Sequence, residues 1–374
     1  MATLQARFDP RRNSLDVLRL AFAALVAVAH GIDIHTGDQP RWGSSTLGDF
    51  GLDGFFILSG FLVARSFVKL DSLPRFVWHR FLRIMPGFWV CLLVVALLVA
   101  PLAAVLQGMA ASTAFTGDPS AWRYVLGNAG LLIVQYDIAG ILATTPQGVS
   151  FNGALWTLFF EAACYGLVVV AGVLGVLRGR RGVLAALAVV LAVLTVLQEA
   201  GVPILLNDRV VRLGFVFVLG MLAHLYASRI PMRADLAVAC GAVFLLSVAA
   251  FTDYRVLGAV PFAYLCLWIG TSRRTALSLR HDLSYGLYIY HWPVLQLLGL
   301  TGASRLPTTA FVVLGIALAA GPAAASWFLV ERPALARKHS RLPDAIAGSV
   351  ANLAARVRPV GRHSQARVGQ HRRT

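Results

Sequence analysis

A small set of ionisable residues falls inside long apolar stretches of the sequence. Inserting such a side chain into a bilayer costs at least ~2.5–3.5 kcal/mol, so each one marks a candidate functional position. The set comprises Asp16, Arg19, His30, Asp53, Arg80, Arg83, Glu161, His224 and His291. Imidazole and carboxylate groups move protons and guanidinium groups bind phosphates, so this set points towards acid–base chemistry on a phosphate-bearing substrate.

Arg19 and His30 are eleven residues apart. In a helix this spacing is about three turns plus ~20°, so both side chains project from one face, ~16 Å apart along the axis. His30 is a candidate catalytic residue, because an imidazole accepts a proton near neutral pH. The alternative is a snorkelling arginine and a histidine that bonds to a neighbouring helix.

Arg80 and Arg83, in WHRFLRIMP, are three residues apart and lie before the apolar run that Pro86 opens. A pair of guanidinium groups on one helix face is suited to binding phosphates. With Arg19, they are the candidate residues for holding a phosphate-bearing cofactor. Ordinary positive-inside anchoring on lipid phosphate is the competing interpretation.

Two carboxylates are candidate partners of His30. Glu161 lies in NGALWTLFFEAACYG and Asp53 in GLDGFFILSGF. Either could orient the imidazole and stabilise its protonated form, and the sequence does not choose between them. Asp53 could instead be a carboxylate that only stabilises a helix start.

A polar stripe runs along the segment LSYGLYIYHWP. In a helix Ser284, Tyr288 and His291 share one face, which makes them candidate substrate-binding residues or members of a structural hydrogen-bond ladder. His224 has no such polar company and is interpreted as a core histidine with a local partner.

The elements that must position these residues are membrane-spanning helices. Apolar residues make up 58% of the chain and charged residues 13%, too few to cover a water-soluble protein of 374 residues. A span needs ~20 mostly apolar residues. Ten segments qualify: 14–34, 48–68, 86–108, 154–177, 182–206, 210–227, 235–252, 256–272, 283–302 and 309–330. The predicted fold is an all-α, polytopic helix bundle.

The net charge of +16 does not indicate nucleic acid, because Lys and Arg form short clusters between apolar blocks. If both termini are cytoplasmic and segment 122–142 does not cross, all but six of the 33 basic residues lie inside. The six are Arg41, Arg123, Arg209, Arg212, Arg255 and Arg305. We therefore expect 122–142 to be a re-entrant or surface helix on the outer face. We expect residues 1–333 to form the membrane domain and 334–374 a basic, disordered cytoplasmic tail that contacts anionic lipid.

Six segments, in this order, resemble the membrane acyltransferase-3 family. They are RNSLDVLRLAFAALVAVAH, GLDGFFILSGFLVARSF, FVWHRFLRIMPGFW, NGALWTLFFEAACYG, LSYGLYIYHWP and VERP, and they cover almost the whole chain. The family's arginine/lysine-x10-histidine motif corresponds to Arg19 and His30. Its R-x-x-R motif corresponds to Arg80 and Arg83.

The resemblance implies an O-acyltransferase of the bacterial cytoplasmic membrane. Such an enzyme passes an acyl group, often acetyl, from coenzyme A to a hydroxyl of a carbohydrate or glycolipid. Acylation of a macrolide or another secondary metabolite is the alternative acceptor chemistry. A transporter or flippase of amphiphilic glycans is the alternative of another class. Acyl-CoA, the acceptor and membrane lipids are the expected partners, with no metal.

Overall fold

The computed structural model describes residues 2–147, 150–272 and 279–340, and nearly all of its regular secondary structure is helical. The helices are α1 Leu4–Arg7, α2 Leu15–Thr36, α3 Leu47–Leu70, α4 Leu73–Leu106, α5 Thr113–Thr116, α6 Ala121–Asn128, α7 Trp156–Val173, α8 Arg181–Glu199, α9 Asp208–Leu225, α10 Ala234–Ala250, α11 Arg255–Gly270, α12 Ser284–Gly299 and α13 Thr308–Ala336. One short hairpin pairs β1 Arg41–Trp42 with β2 Ser45–Thr46. The predicted all-α bundle is confirmed.

Each of the ten predicted spans contains one long helix, from α2 to α4 and from α7 to α13. Six of these, α2, α3, α4, α7, α8 and α13, are long and apolar enough to cross a membrane. Apolar side chains also cover the outside of the bundle, and Val189 and Val193 on α8 are 63% and 51% exposed. Apolar residues at such exposure fit a lipid environment, so the chain is an integral membrane protein.

Helix α4 begins earlier than the apolar run predicted. The helix starts at Leu73, so Pro86 lies inside it and does not open it. Arg80 and Arg83 are therefore interior residues of α4, about two and three turns from its start. A helix inside a bundle tolerates such a proline because its neighbours satisfy the freed carbonyl group.

The ambiguous segment 122–142 does not form one continuous helix. Only its first part is helical, in α6, and the backbone N–H of Ala139 then returns to donate to the carbonyl of Pro119 at 2.8 Å. Asn128 closes the turn, since its side chain bonds the backbone of Val134 and Gln135. The two ends of the segment therefore lie side by side, and the re-entrant or surface placement on the outer face stays a prediction.

Contacts between helix ends define the two ends of the bundle. At one end, here called the basic end, Asp282 before α12 bonds both Arg19 of α2 and Arg83 of α4. At the other end, here called the distal end, His35 of α2 bonds Thr308 at the start of α13. Helix α2 thus runs from the basic end to the distal end, so the position of a residue along α2 gives its distance from the basic end.

Helix α3 lies at the centre, packed against α2, α4, α7, α9 and α11. Its closest approach is to α9, where Gly60 and Gly220 face one another. A Cβ atom on Gly60 would overlap the carbonyl oxygen of Phe217, and one on Gly220 would overlap that of Ile57. Glycine at both positions is what lets the two backbones touch.

The carboxyl-terminal helix continues past the predicted domain boundary at residue 333. Helix α13 ends at Ala336, and a short 3-10 turn, Arg337–His339, follows. The indole N–H of Trp78 donates to the carbonyl of Arg337 at 3.1 Å, which fixes this turn to α4. Residues 341–374 of the predicted tail lie outside the described residues.

Candidate functional site

His30 meets a second histidine across the bundle. Its Nδ1 is 2.8 Å from Nε2 of His291 on α12, and the two rings stack with centroids 5.1 Å apart. His291 is fully buried, whereas His30 is partly exposed. The His30 imidazole is thus held on two sides, since the Trp292 ring packs edge-on against it at 4.7 Å.

The hydrogen bonds of this pair assign its tautomers. Nδ1 of His291 is 3.1 Å from the carbonyl oxygen of Leu287, which can only accept, so this nitrogen carries the proton. In the neutral ring Nε2 of His291 is then an acceptor, and Nδ1–H of His30 donates to it. His30 is left with its lone pair on Nε2, and this atom has no hydrogen-bond partner among the described residues. The arrangement presents a free basic nitrogen.

The predicted polar stripe on α12 is present. Ser284 donates to Asp282 at 2.5 Å, and the Tyr288 hydroxyl is 2.5 Å from that of Thr157. His291, at the far end of the stripe, bonds His30. Tyr288 thus contacts α7 and His291 contacts α2, whereas Ser284 bonds Asp282 just before α12 itself.

A narrow cavity of about 40 Å³ extends from the arginines of the basic end towards the histidine pair. Arg19 and Arg83 line it together with Glu161, and Tyr288 is also on its wall. The Tyr288 ring lies 6.0 Å from that of His291, so the cavity approaches the histidine pair from the basic end. Cations at one end and a free imidazole nitrogen beyond the other suit a long, thin anionic substrate.

Asp282 is the site residue that the sequence did not reveal. Its Oδ2 accepts from Arg19 at 2.9 Å and from Arg83 at 2.7 Å. Burial alone would raise the pKa of Asp282, but Arg19 and Arg83 hold it well below its usual range. Asp282 lies just before an apolar stretch, so a search for charges within spans passes over it. Its position two residues before Ser284 was the available signal.

Neither candidate carboxylate, Glu161 or Asp53, is hydrogen-bonded to His30. Glu161 accepts a hydrogen bond from Tyr165 one turn along α7, and it lines the cavity beside Arg83. It can meet a substrate in the cavity, but the hydrogen-bonding partner of His30 is His291.

Asp53 is fully buried in an ion-pair cluster between α3, α9 and α11. Its Oδ1 accepts from Arg212 at 3.0 Å, and its Oδ2 accepts from Arg255 at 2.6 Å and from Tyr254 at 2.7 Å. Both oxygens are occupied by these partners. The structure therefore does not place Asp53 beside His30 as expected. The alternative, a carboxylate that only stabilises a helix start, does not account for the ion pairs of Asp53 with Arg212 and Arg255.

Arg80 and Arg83 do not form one fork. Arg83 turns into the cavity, whereas Arg80 lies over the Tyr165 ring at 5.4 Å and lines a separate apolar groove between α4 and α7. The buried Nε of Arg80 has no hydrogen-bond partner among the described residues. Arg83 thus shares the cavity with Arg19, whereas Arg80 lies apart from both.

His224, expected to be a core histidine with a local partner, is only half-buried. His224 packs edge-on against Phe61 at 5.7 Å, and no hydrogen bond to its ring is present within the described residues. In the same residues, no three His, Cys, Asp or Glu side chains converge as they would around a metal ion.

Known proteins resemble this chain along most of its length. A family model described as an acyltransferase domain, Acyl_transf_3, matches residues 12–327. Nodulation protein 10 of Rhizobium leguminosarum bv. viciae is 28% identical, over 87% of this chain and 93% of that protein. The O-acetyl transferase of Shigella phage Sf6 is 27% identical, over 43% of this chain and 46% of that protein. No solved structure matches.

Proposed function

This chain belongs to the acyltransferase-3 family and is a membrane O-acyltransferase, and we propose that it moves an acetyl group from acetyl-CoA to a carbohydrate hydroxyl. The acceptor in this proposal is a glycan or glycolipid presented at the bacterial cytoplasmic membrane. The observation that carries the proposal is the free Nε2 of His30. His291 bonds the other ring nitrogen, Nδ1, and the ring lies beyond a cavity that begins at Arg19 and Arg83.

Arg19 and Arg83 are the proposed binding groups for the phosphates of the donor. Both cations converge on one oxygen of Asp282, so a phosphate group arriving at this end of the cavity meets two guanidinium groups already oriented. The chain of the donor that leads to the thioester then lies along the cavity, past Glu161 and Tyr288. The axial rise of α2 places His30 ~16 Å from Arg19.

His30 is the proposed general base. Its Nε2 takes the proton of the acceptor hydroxyl, and the oxygen attacks the thioester carbonyl carbon. A carbon–oxygen bond forms, the carbon–sulfur bond breaks, and the departing thiolate takes the proton back from His30. His291 accepts from Nδ1–H throughout and stabilises the imidazolium. Attack by Nε2 itself, with an acyl-imidazole intermediate, is the alternative route.

The O-acetyl transferase named above supports acetyl as the transferred group. A macrolide or other secondary metabolite as acceptor, and a transporter of amphiphilic glycans, are the competing functions. The paired arginines with an imidazole beyond them favour a donor site, because a transporter needs no nucleophile or base at the end of its anion site.

The test uses purified protein in lipid nanodiscs with radiolabelled acetyl-CoA and candidate membrane glycolipids. Label should enter the glycolipid, and His30→Ala should reduce transfer by at least ~10³-fold while the protein still folds. His35→Ala is the matched control, because His35 lies on the same helix but bonds Thr308 at the distal end. Near-normal transfer by His30→Ala would exclude the mechanism, and glycolipid movement without any label transfer would support the transporter.

A further inference from the structure

A second cavity opens at the basic end, away from the proposed donor path. It encloses about 420 Å³ between the amino-terminal segment, α3, the start of α8 and the end of α9. Its apolar walls include Phe8, Phe61 and Leu177, and its polar side chains include Arg65 and Arg181. We call it the Arg65 cavity.

Within the described residues, Arg65 and Arg181 have no anionic partner. The Arg65 guanidinium lies over the Phe8 ring at 5.0 Å, and Arg181 donates to the carbonyl of Leu225 at 3.0 Å. No aspartate or glutamate is among the described residues that line the cavity. Arg178, at the same end of the bundle, is by contrast paired with Asp71. The cavity therefore concentrates positive charge that nothing in the described chain neutralises.

The Arg65 cavity is also separate from the narrow cavity lined by Arg19 and Arg83, here called the proposed donor cavity. On α3, Phe56 and Ser59 face the proposed donor cavity, whereas Phe61 and Arg65 face the second one. Successive residues are 100° apart in a helix, which puts these two pairs on roughly opposite faces of α3. A molecule in the second cavity thus has α3 between itself and Arg83.

We propose that the Arg65 cavity binds a phosphate group, with Arg65 and Arg181 as its ligands. Guanidinium groups bind phosphate oxygens through paired, charge-assisted hydrogen bonds. The apolar walls suit the hydrocarbon next to the phosphate of an anionic lipid, and a membrane surface supplies that lipid at high local concentration. A free phosphate is the second source of the same chemistry.

A phosphate bound in the Arg65 cavity would also stabilise the packing of the amino-terminal segment, residues 4–8, against the bundle. The backbone N–H of Leu4 donates to Ile230 and that of Gln5 to Ala227, each at 2.9 Å, so α1 already closes one side of the cavity. A phosphate held by Arg65 and Arg181 links this segment, through Phe8 and Leu225, to α3 and α9. The expected consequence is a bundle that unfolds at a higher temperature when the site is filled.

The experiment compares the wild-type protein with two double variants of equal charge. Arg65→Gln/Arg181→Gln removes both proposed ligands. Lys69→Gln/Arg178→Gln removes two cations at the same end that do not line the cavity. Each protein is placed in nanodiscs of phosphatidylcholine alone or with phosphatidylglycerol. Bound lipid is counted by native mass spectrometry, and thermal unfolding is followed with and without inorganic phosphate.

Phosphatidylglycerol should be retained by the wild type and by Lys69→Gln/Arg178→Gln, and at least ~10-fold less by Arg65→Gln/Arg181→Gln. The rise in unfolding temperature should follow the same order. Protection by inorganic phosphate without phosphatidylglycerol, again lost in Arg65→Gln/Arg181→Gln, would identify a free phosphate as the ligand. Equal lipid retention by all three proteins, or no protection of any, would overturn the proposal. If the double variant does not fold, Arg181→Gln alone decides, because Arg181 is exposed and its loss is tolerated more easily.

Discussion

The bond between His30 and His291 gives each ring a separate task. Because Nδ1–H of His291 donates to the carbonyl of Leu287, its Nε2 is an acceptor. His291 can therefore fix the tautomer of His30 without contacting the substrate itself. We expect His291→Ala to lower kcat by about 10- to 100-fold and to leave the KM for acetyl-CoA nearly unchanged, as loss of an orienting partner usually does. His291→Gln keeps an acceptor at this position and should recover part of the activity. A raised KM with normal kcat would instead make His291 a substrate-binding residue.

Asp282 holds Arg19 and Arg83, the two arginines proposed to bind the donor, at one carboxylate oxygen. We expect Asp282→Asn to raise the KM for acetyl-CoA about tenfold with little change in kcat, because Arg19 and Arg83 then repel each other and lose their alignment. Steady-state kinetics measure both constants. Asp253→Asn is the control, since Asp253 pairs with Arg255 in the other cluster. An unchanged KM would remove Asp282 and its arginines from the donor site.

Residue chemistry was predictable from sequence where it depended on one helix. The eleven-residue spacing placed Arg19 and His30 on one face, and both do contact partners in or beside α12. The partners themselves were not predictable. His30 and His291 are 261 positions apart, and helical periodicity says nothing about which helix a face will meet. Asp53 was misassigned as a partner of His30 for the same reason.

The turn after α13 adds a titratable cation to the donor end of the bundle. Burial, with the positive charges of Arg83 and Arg80, lowers the pKa of Lys338 to about 8. Lys338 is thus charged below pH 8 and loses its proton as the pH rises through that value, whereas a bound phosphate favours the charged form. We expect acetyl-CoA affinity to fall by up to about fivefold between pH 7 and pH 9. Lys338→Met should abolish this dependence in a binding titration, and an equal fall in that variant would assign it to another group.

The Asp53 cluster ties α3 to α9 and α11. Arg255 is only 3% exposed, so removing its carboxylate leaves a buried charge without its main partner. We expect Asp53→Asn to lower the free energy of unfolding by about 3–5 kcal/mol. Asp38→Asn, in an exposed pair with Arg41, should change it by less than about 1 kcal/mol. Thermal unfolding in detergent measures both. Normal stability of Asp53→Asn with lost turnover would restore the catalytic role first predicted for Asp53.

The apolar runs of the sequence predicted all ten long helices, because a span must satisfy its backbone internally and is therefore helical wherever it is apolar. They did not predict the first turns of α4. Residues 73–85 carry Arg75, Arg80 and Arg83 among apolar residues, so the hydropathy falls there while the helix continues. Arg83 turns towards Asp282 and Arg80 towards the Tyr165 ring, and these contacts compensate for charged residues in a helix that hydropathy alone starts later.

At the scale of the whole molecule, two of the six basic residues assigned outside belong to ion pairs. Arg212 pairs with Asp49 and Asp53, and Arg255 pairs with Asp53 and Asp253. Acidic partners contribute little to the positive-inside rule, which counts Lys and Arg near the ends of the spans. The proposed orientation therefore rests on the excess of basic residues assigned inside, and Arg212 and Arg255 remain exceptions to it.

The proposed orientation puts the basic end in the cytoplasm, where acetyl-CoA is made available, and the distal end outside. Lys69, exposed at the end of α3, belongs to the basic end, whereas Arg305, exposed just before α13, belongs to the distal end. In intact cells we expect a membrane-impermeant maleimide to label Arg305→Cys and to label Lys69→Cys only after permeabilisation. Cys91, Cys164 and Cys266 are buried, and the partly exposed Cys240 is removed by Cys240→Ser in the parent protein to keep the background low. Labelling of Lys69→Cys alone in intact cells would invert the bundle, and the donor site would then face away from the compartment that supplies acyl-CoA.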